Sequence, residues 1–99
     1  MTMTAAGVAK LIEECGELVQ ICGKKLAMWD QDEHWDGTNL RDRMIEEMGD
    51  VQAAILFVAE QIDALDEVTA RTLAKHDLFW TWQAEIGNND HGIDAARGD

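Results

Sequence analysis

The chain has 99 residues and a formal net charge of −12, with Lys+Arg 8 against Asp+Glu 20. That length holds one small domain, and that sign of charge excludes nucleic-acid binding through a basic footprint and opposes docking on an anionic membrane. No apolar run approaches the ~18 residues that span a bilayer, and no basic segment leads into an apolar one at the N-terminus; the expectation is a cytoplasmic protein without a secretory leader.

Proline is absent, and Ala, Leu, Glu, Asp, Ile and Val dominate, which predicts an all-α protein. A first helix is expected from about Thr4 to Met28, with the apolar stripe Val8, Leu11, Ile12, Cys15, Leu18, Val19, Cys22 and Leu26. Cys15 and Cys22 stand seven residues and ~10 Å apart along that helix, too far to bridge. They read as small buried core residues in a reducing compartment. Met3, Lys10, Glu14, Glu17, Ile21, Lys24 and Met28 share another face, away from the stripe.

A polar segment, Asp30 to Gly37, reads as a loop, and Thr38 as the N-cap of a second helix that runs to about Ile62. Its expected stripe is Leu40, Met44, Met48, Val51, Ile55, Val58 and Ile62, with Glu47 at the edge. Asp63 or Asp66 then caps a third helix running to about Ile86, with Gly87 as its stop. Residues 88–99, rich in Asn, Asp and Gly, are expected to form a flexible tail after a helical domain of residues 1–87. Both long helices are partly apolar on a second side. The expected architecture is therefore a helical bundle completed by oligomerisation, as a homodimer or homotetramer, with the interface close to the acids.

Two acidic clusters stand inside the apolar runs: Glu13-Glu14-Cys15-Gly16-Glu17 and Glu46-Glu47-Met48-Gly49-Asp50. Each contains an acid-x-x-acid step, Glu14 to Glu17 and Glu47 to Asp50, whose members lie about 60° apart on one helix face. Like charges at that spacing repel, and a carboxylate beside an apolar stripe is costly unless paired or bound to metal. A hard divalent cation that prefers oxygen ligands is the natural compensation. Mid-helix Gly16 and Gly49 each cost roughly 1 kcal/mol relative to alanine, which suggests close approach of another backbone or a ligand.

Glu-Glu-x-x-Glu followed on a later helix by Glu-Glu-x-Gly-Asp-Val resembles the all-α nucleoside triphosphate pyrophosphohydrolases of the MazG type, whose signature is E-x-x-E, a spacer, then E-x-x-D. The resemblance covers about residues 8 to 80, with the run Ile45 to Phe57 close to the family's second motif. It implies Mg²⁺-dependent hydrolysis of a nucleoside triphosphate to the monophosphate and pyrophosphate, in nucleotide-pool housekeeping. Glu14, Glu17, Glu47 and Asp50 fall at the family's metal-ligand positions. Glu13 or Glu46 is then available to orient or deprotonate the attacking water, with Glu13 preferred. Arg71, Lys75 and Trp82 are the candidate substrate contacts, the cations for phosphate and the indole for the base.

The chain departs from the family pattern at three points. The spacer is at the long end, the helix that many members carry before the first motif is absent or very short, and the basic cluster after the second motif is reduced to Arg71 and Lys75, with Asp77 next. Lys24 and Lys25 are further cations that either reach phosphate or complement the end of the first helix. Trp29 and Trp35 flank the loop, where they either cover a base or pack onto the bundle.

Other motifs fail on inspection. Asp30-x-Asp32-x-His34 begins like a calcium loop but lacks the glycine at the sixth position, and Arg41 occupies the closing position. There is no Glu-x-x-His pair for a di-iron site and no Gly-x-x-x-x-Gly-Lys-Ser/Thr phosphate loop. The rival reading is a non-enzymatic acidic module that mimics the DNA backbone or binds a cationic partner.

Overall fold

A computed structural model describes residues 2–87, and its elements are α1 (Ala5–Ala27), α2 (Leu40–Gln61) and α3 (Leu65–Glu85). Thr4 caps α1, its hydroxyl accepting from the Gly7 N–H at 3.0 Å. At the other end Lys24 and Lys25 occupy the last turn, where cations complement the helix dipole. The Lys25 ammonium then donates to the carbonyls of Trp29 (3.3 Å) and Gln31 (2.9 Å) and pairs with Asp32 at 2.9 Å. One side chain thus satisfies three acceptors of the turning chain.

The loop is closed by a short antiparallel bridge between Glu33 and Asn39. The His34 N–H donates to the Thr38 carbonyl (2.8 Å), and the Gly37 N–H donates to that of His34 (2.9 Å). Gly37 takes φ +86°, which suits glycine. The Thr38 N–H donates to the Asp36 carboxylate at 3.0 Å, and hydrogen bonding with Thr38 holds the Asp36 carboxyl down at about 2. The helix begins at Leu40, so the cap of α2 is Asn39 and not Thr38 as expected; its side chain accepts from the Asp42 N–H at 2.9 Å.

The two helices run antiparallel, tied at their far ends by Gln61. Its carboxamide bonds Thr4 through the backbone N–H (3.3 Å) and the hydroxyl (3.1 Å). Gly7 allows this contact, since a Cβ there would stand 2.7 Å from Gln61 Oε1. The seam between the helices is Gly7, Leu11, Glu14, Leu18 and Ile21 on α1, and Leu40, Met44, Glu47, Val51, Ala54 and Val58 on α2, all buried or half-buried. Both sets follow the i, i+3, i+4, i+7 spacing of one helix face. Covering an Ile or Val side chain in such a seam contributes about 1.5–3 kcal/mol.

This seam differs from the expected stripes. On α1, Ile12 (68 % exposed), Val19 (71 %), Cys15 and Leu26 face outward, while Glu14 and Ile21 face the seam. On α2 Met48 and Ile55 are exposed, as is Ile62 just past its end, and Glu47 and Ala54 hold the interior places. Cys15 is an exposed free thiol and Cys22 a half-buried one, not core residues.

A first compact unit ends at Ala64 and a second begins at Leu65. Asp63, at φ +54°, closes α2 in the left-handed region, and the Ala64 N–H reaches back to the Ala59 carbonyl at 2.9 Å. Asp66 lies inside the first turn of α3 with Glu67, where negative charge suits the dipole, so neither Asp63 nor Asp66 takes the expected capping role. Gly87, at φ +59°, follows the last turn of α3, where the Ile86 N–H meets the Trp82 carbonyl. The expected tail, 88–99, lies outside the described residues. No helix among the described residues is long and apolar enough to cross a membrane.

Candidate functional site

Glu14, Glu17, Glu47 and Asp50 converge mid-way along the helix pair. One carboxylate oxygen from each lies within 4.8 Å of the others. The arrangement follows from the register. Glu14 and Glu47 occupy seam positions, flanked by Leu11 and Leu18 on α1 and by Met44 and Val51 on α2. The second acid of each step, Glu17 and Asp50, is exposed beside them.

Glu47 is 2 % exposed, the one buried charged side chain among the described residues. Its Oε1 accepts from an Arg43 guanidinium N–H at 2.7 Å, and its Oε2 is buried with no partner. Glu14 Oε2 is likewise buried and unpartnered. Burial pushes the Glu14 carboxyl up, with Glu17 and Asp50 adding to it. Burial also pushes Glu47 up; Glu17 adds to the shift, and Arg43 opposes it. Orphaned oxygens and mutual repulsion are what a cation relieves. The donor set is all carboxylate, which suits Mg²⁺ or Ca²⁺ and not a soft metal.

Two openings flank the acids. One, of about 340 Å³, is lined by Lys10, Glu14, Asp50, Ala53, Ala54 and Phe57. The other, of about 260 Å³, is lined by Glu17, Gln20, Ile21, Lys24, Thr38 and Arg43. The first sets Lys10, Glu14 and Asp50 against the apolar Ala53, Ala54 and Phe57; the second offers two cations, an amide and a hydroxyl beside Glu17.

Glu13 stands outside the four-acid group, exposed, with its carboxylate on the Lys10 ammonium at 2.8 Å. Glu46 is also exposed and accepts from Arg43 at 2.8 Å. Arg71, Lys75 and Trp82 are on α3, in the second unit, where the Lys75 ammonium lies 5.2 Å from the Phe79 ring centroid. Among the described residues, and apart from the adjoining residues and turns of the same helix, nothing lies within 4 Å of a Cβ built at Gly16 or Gly49, so no second backbone approaches either glycine there; Gly7 is the close-approach glycine of α1. Arg43 was not among the residues singled out by motif, although its place four residues before Glu47 is the spacing of a helical ion pair.

A family model for the MazG nucleotide pyrophosphohydrolase domain matches residues 4–78. The chain belongs to the MazG family. No curated protein and no solved structure matches it. The matched residues span both acidic steps, whose four acids converge, and run into α3.

Proposed function

We propose that this MazG-family chain hydrolyses a nucleoside triphosphate, ribo- or deoxyribo-, to the monophosphate and pyrophosphate with Mg²⁺. The observation that carries the reading is the convergence of four carboxylates from two helices, two of them with buried, unpartnered oxygens. Glu14, Glu17, Glu47 and Asp50 hold the metal. When bound, Mg²⁺ offsets the charge of the triphosphate, polarises the α-phosphoryl group and makes water a better nucleophile.

The protein's own part is largely positional. The seam sets where the Glu14 and Glu47 side chains stand, which lessens the reorganisation needed to receive a cation. Glu17 and Asp50, being exposed, complete the set from the solvent side. Glu13 is the proposed group for orienting or deprotonating the water, and its ion pair with Lys10 places a counter-charge beside it. The two openings leave room for substrate on either side of the acids. Arg71, Lys75 and Trp82 are the proposed substrate contacts from α3. The outward apolar residues Ile12, Val19, Met48 and Ile55 support a homodimer or homotetramer.

An acidic decoy for a DNA-binding protein needs its charges displayed. A carboxylate that is 2 % exposed between Met44 and Val51 displays nothing, which counts against that rival. The test is a pyrophosphate-release screen over common and modified NTPs and dNTPs with Mg²⁺, alongside Glu14→Gln, Glu17→Gln and Asp50→Asn. Release with at least one nucleotide, cut by orders of magnitude in each variant at unchanged helical content, is expected. Full activity in Glu17→Gln, or no release from any nucleotide by the wild type, would overturn the proposal.

A further inference from the structure

The residue least accounted for by the reaction is Arg43. Its guanidinium bridges two carboxylates of the same helix, with Nη1 donating to Glu46 Oε2 at 2.8 Å and Nη2 donating to Glu47 Oε1 at 2.7 Å. The two partners differ sharply. The Glu46 side chain is 62 % exposed and gains little from such a pair, whereas that of Glu47 is 3 % exposed. Arg43 is also part of the wall of the opening beside Glu17, so it borders the acids and their solvent access.

We propose that Arg43 is a positioning residue for the metal site: it holds Glu47 by Oε1, leaving Oε2 as the ligand oxygen, and Glu46 anchors the other end of the fork. The inference rests on the four acids being metal ligands. A buried carboxylate has two equivalent oxygens and freedom about its last torsion. A donor fixed on one oxygen removes that freedom and selects which lone pairs remain for the cation. The planar fork of Arg meets both carboxylates at once; a Lys ammonium is a point charge without that bidentate geometry.

The alternative is that Arg43 only lowers the local negative charge. The two roles give opposite signs. If charge alone matters, deleting the cation makes the site more anionic and tightens metal binding. If positioning matters, deleting it loosens binding even though the local charge becomes more favourable.

The experiment is Mn²⁺ titration followed by electron paramagnetic resonance, at a temperature well below unfolding, on the wild type, Arg43→Met, Arg43→Lys and Glu46→Gln, with helical content checked by circular dichroism. The expected result is a Kd for Mn²⁺ raised ~10–100-fold in Arg43→Met. Arg43→Lys should fall between Arg43→Met and the wild type, and Glu46→Gln within a few-fold of the wild type, since it loosens only the outer anchor. With Mg²⁺ and a nucleotide substrate, Arg43→Met should shift the Mg²⁺ concentration for half-maximal rate by the same factor. Equal or tighter Mn²⁺ binding by a folded Arg43→Met overturns the inference while leaving the metal reading intact. If Arg43→Met loses its helices, Arg43→Lys and Glu46→Gln decide: wild-type affinity in both overturns it. Wild-type protein that binds no Mn²⁺ overturns the metal reading, and this inference with it.

Discussion

Replacing Glu47 by Gln should have opposite effects on stability with and without metal. Glu47 is the most buried of the four acids, and its environment already disfavours its charge, through burial and Glu17, despite Arg43. Gln keeps the shape and an oxygen for the Arg43 N–H but removes the repulsion. In chelator at pH 8, Glu47→Gln should therefore melt above the wild type. With Mg²⁺ the order changes. A ligand at 100 times its Kd stabilises the fold by about 2.7 kcal/mol, which in a domain of this size is a rise of roughly 10–20 °C. If losing the buried ligand weakens the site tenfold, the same Mg²⁺ contributes about 1.4 kcal/mol; if a hundredfold, about 0.4 kcal/mol, or roughly 2–3 °C. Differential scanning fluorimetry or calorimetry over a Mg²⁺ series measures both arms. A wild-type melting curve that ignores Mg²⁺, or a Glu47→Gln variant with the full Mg²⁺ gain, would refute the reasoning.

The pH dependence of the metal-free protein follows from the same acids. Glu14 and Glu47 are raised in the fold, so the folded state holds protons that the unfolded chain has released, and their contribution is present below the unfolded carboxylate value of about 4.3 and lost as pH rises through their folded values. Melting curves in chelator from pH 4 to 8 should show the wild type falling progressively below the Glu14→Gln/Glu47→Gln double variant; parallel curves would contradict this. In the seam, Ile21 is 5 % exposed, and Ile21→Ala should cost about 2–5 kcal/mol in denaturant unfolding. On the outward side, Val19→Glu should dissociate the proposed homo-oligomer, seen by sedimentation at tens of micromolar as a shift from a dimer or larger species to monomer; a monomeric wild type would refute the proposed self-association.

The approximate spans of the three helices and the grouping of the four acids were legible because they rest on short-range chemistry. Thr4 caps where a capping residue precedes an apolar run, Gly87 stops α3, and the acid-x-x-acid steps sit where helical spacing brings their members together. The orientation of α1 and α2 was not legible. Each has more apolar residues than its seam can cover, and hydrophobicity alone turns Ile12 and Val19 inward and Glu14 outward. The register that forms does the reverse, because Gly7, Leu11, Leu18 and Ile21 meet α2 while Glu14 is carried in with them. Apolar patterning treats a carboxylate as a surface residue, so it does not turn Glu14 toward the seam. The choice of Asn39 over Thr38 as a cap was equally hidden, since both residue types suit the role and they are adjacent in the sequence.

The central claim is that the acids direct water to the α-phosphorus. Hydrolysis of an accepted nucleoside triphosphate with Mg²⁺ in ¹⁸O-labelled water, followed by mass spectrometry of both products, tests it directly. One ¹⁸O in the nucleoside monophosphate and none in the pyrophosphate is the predicted result. Label in the pyrophosphate, or release of labelled orthophosphate with a nucleoside diphosphate, would contradict it.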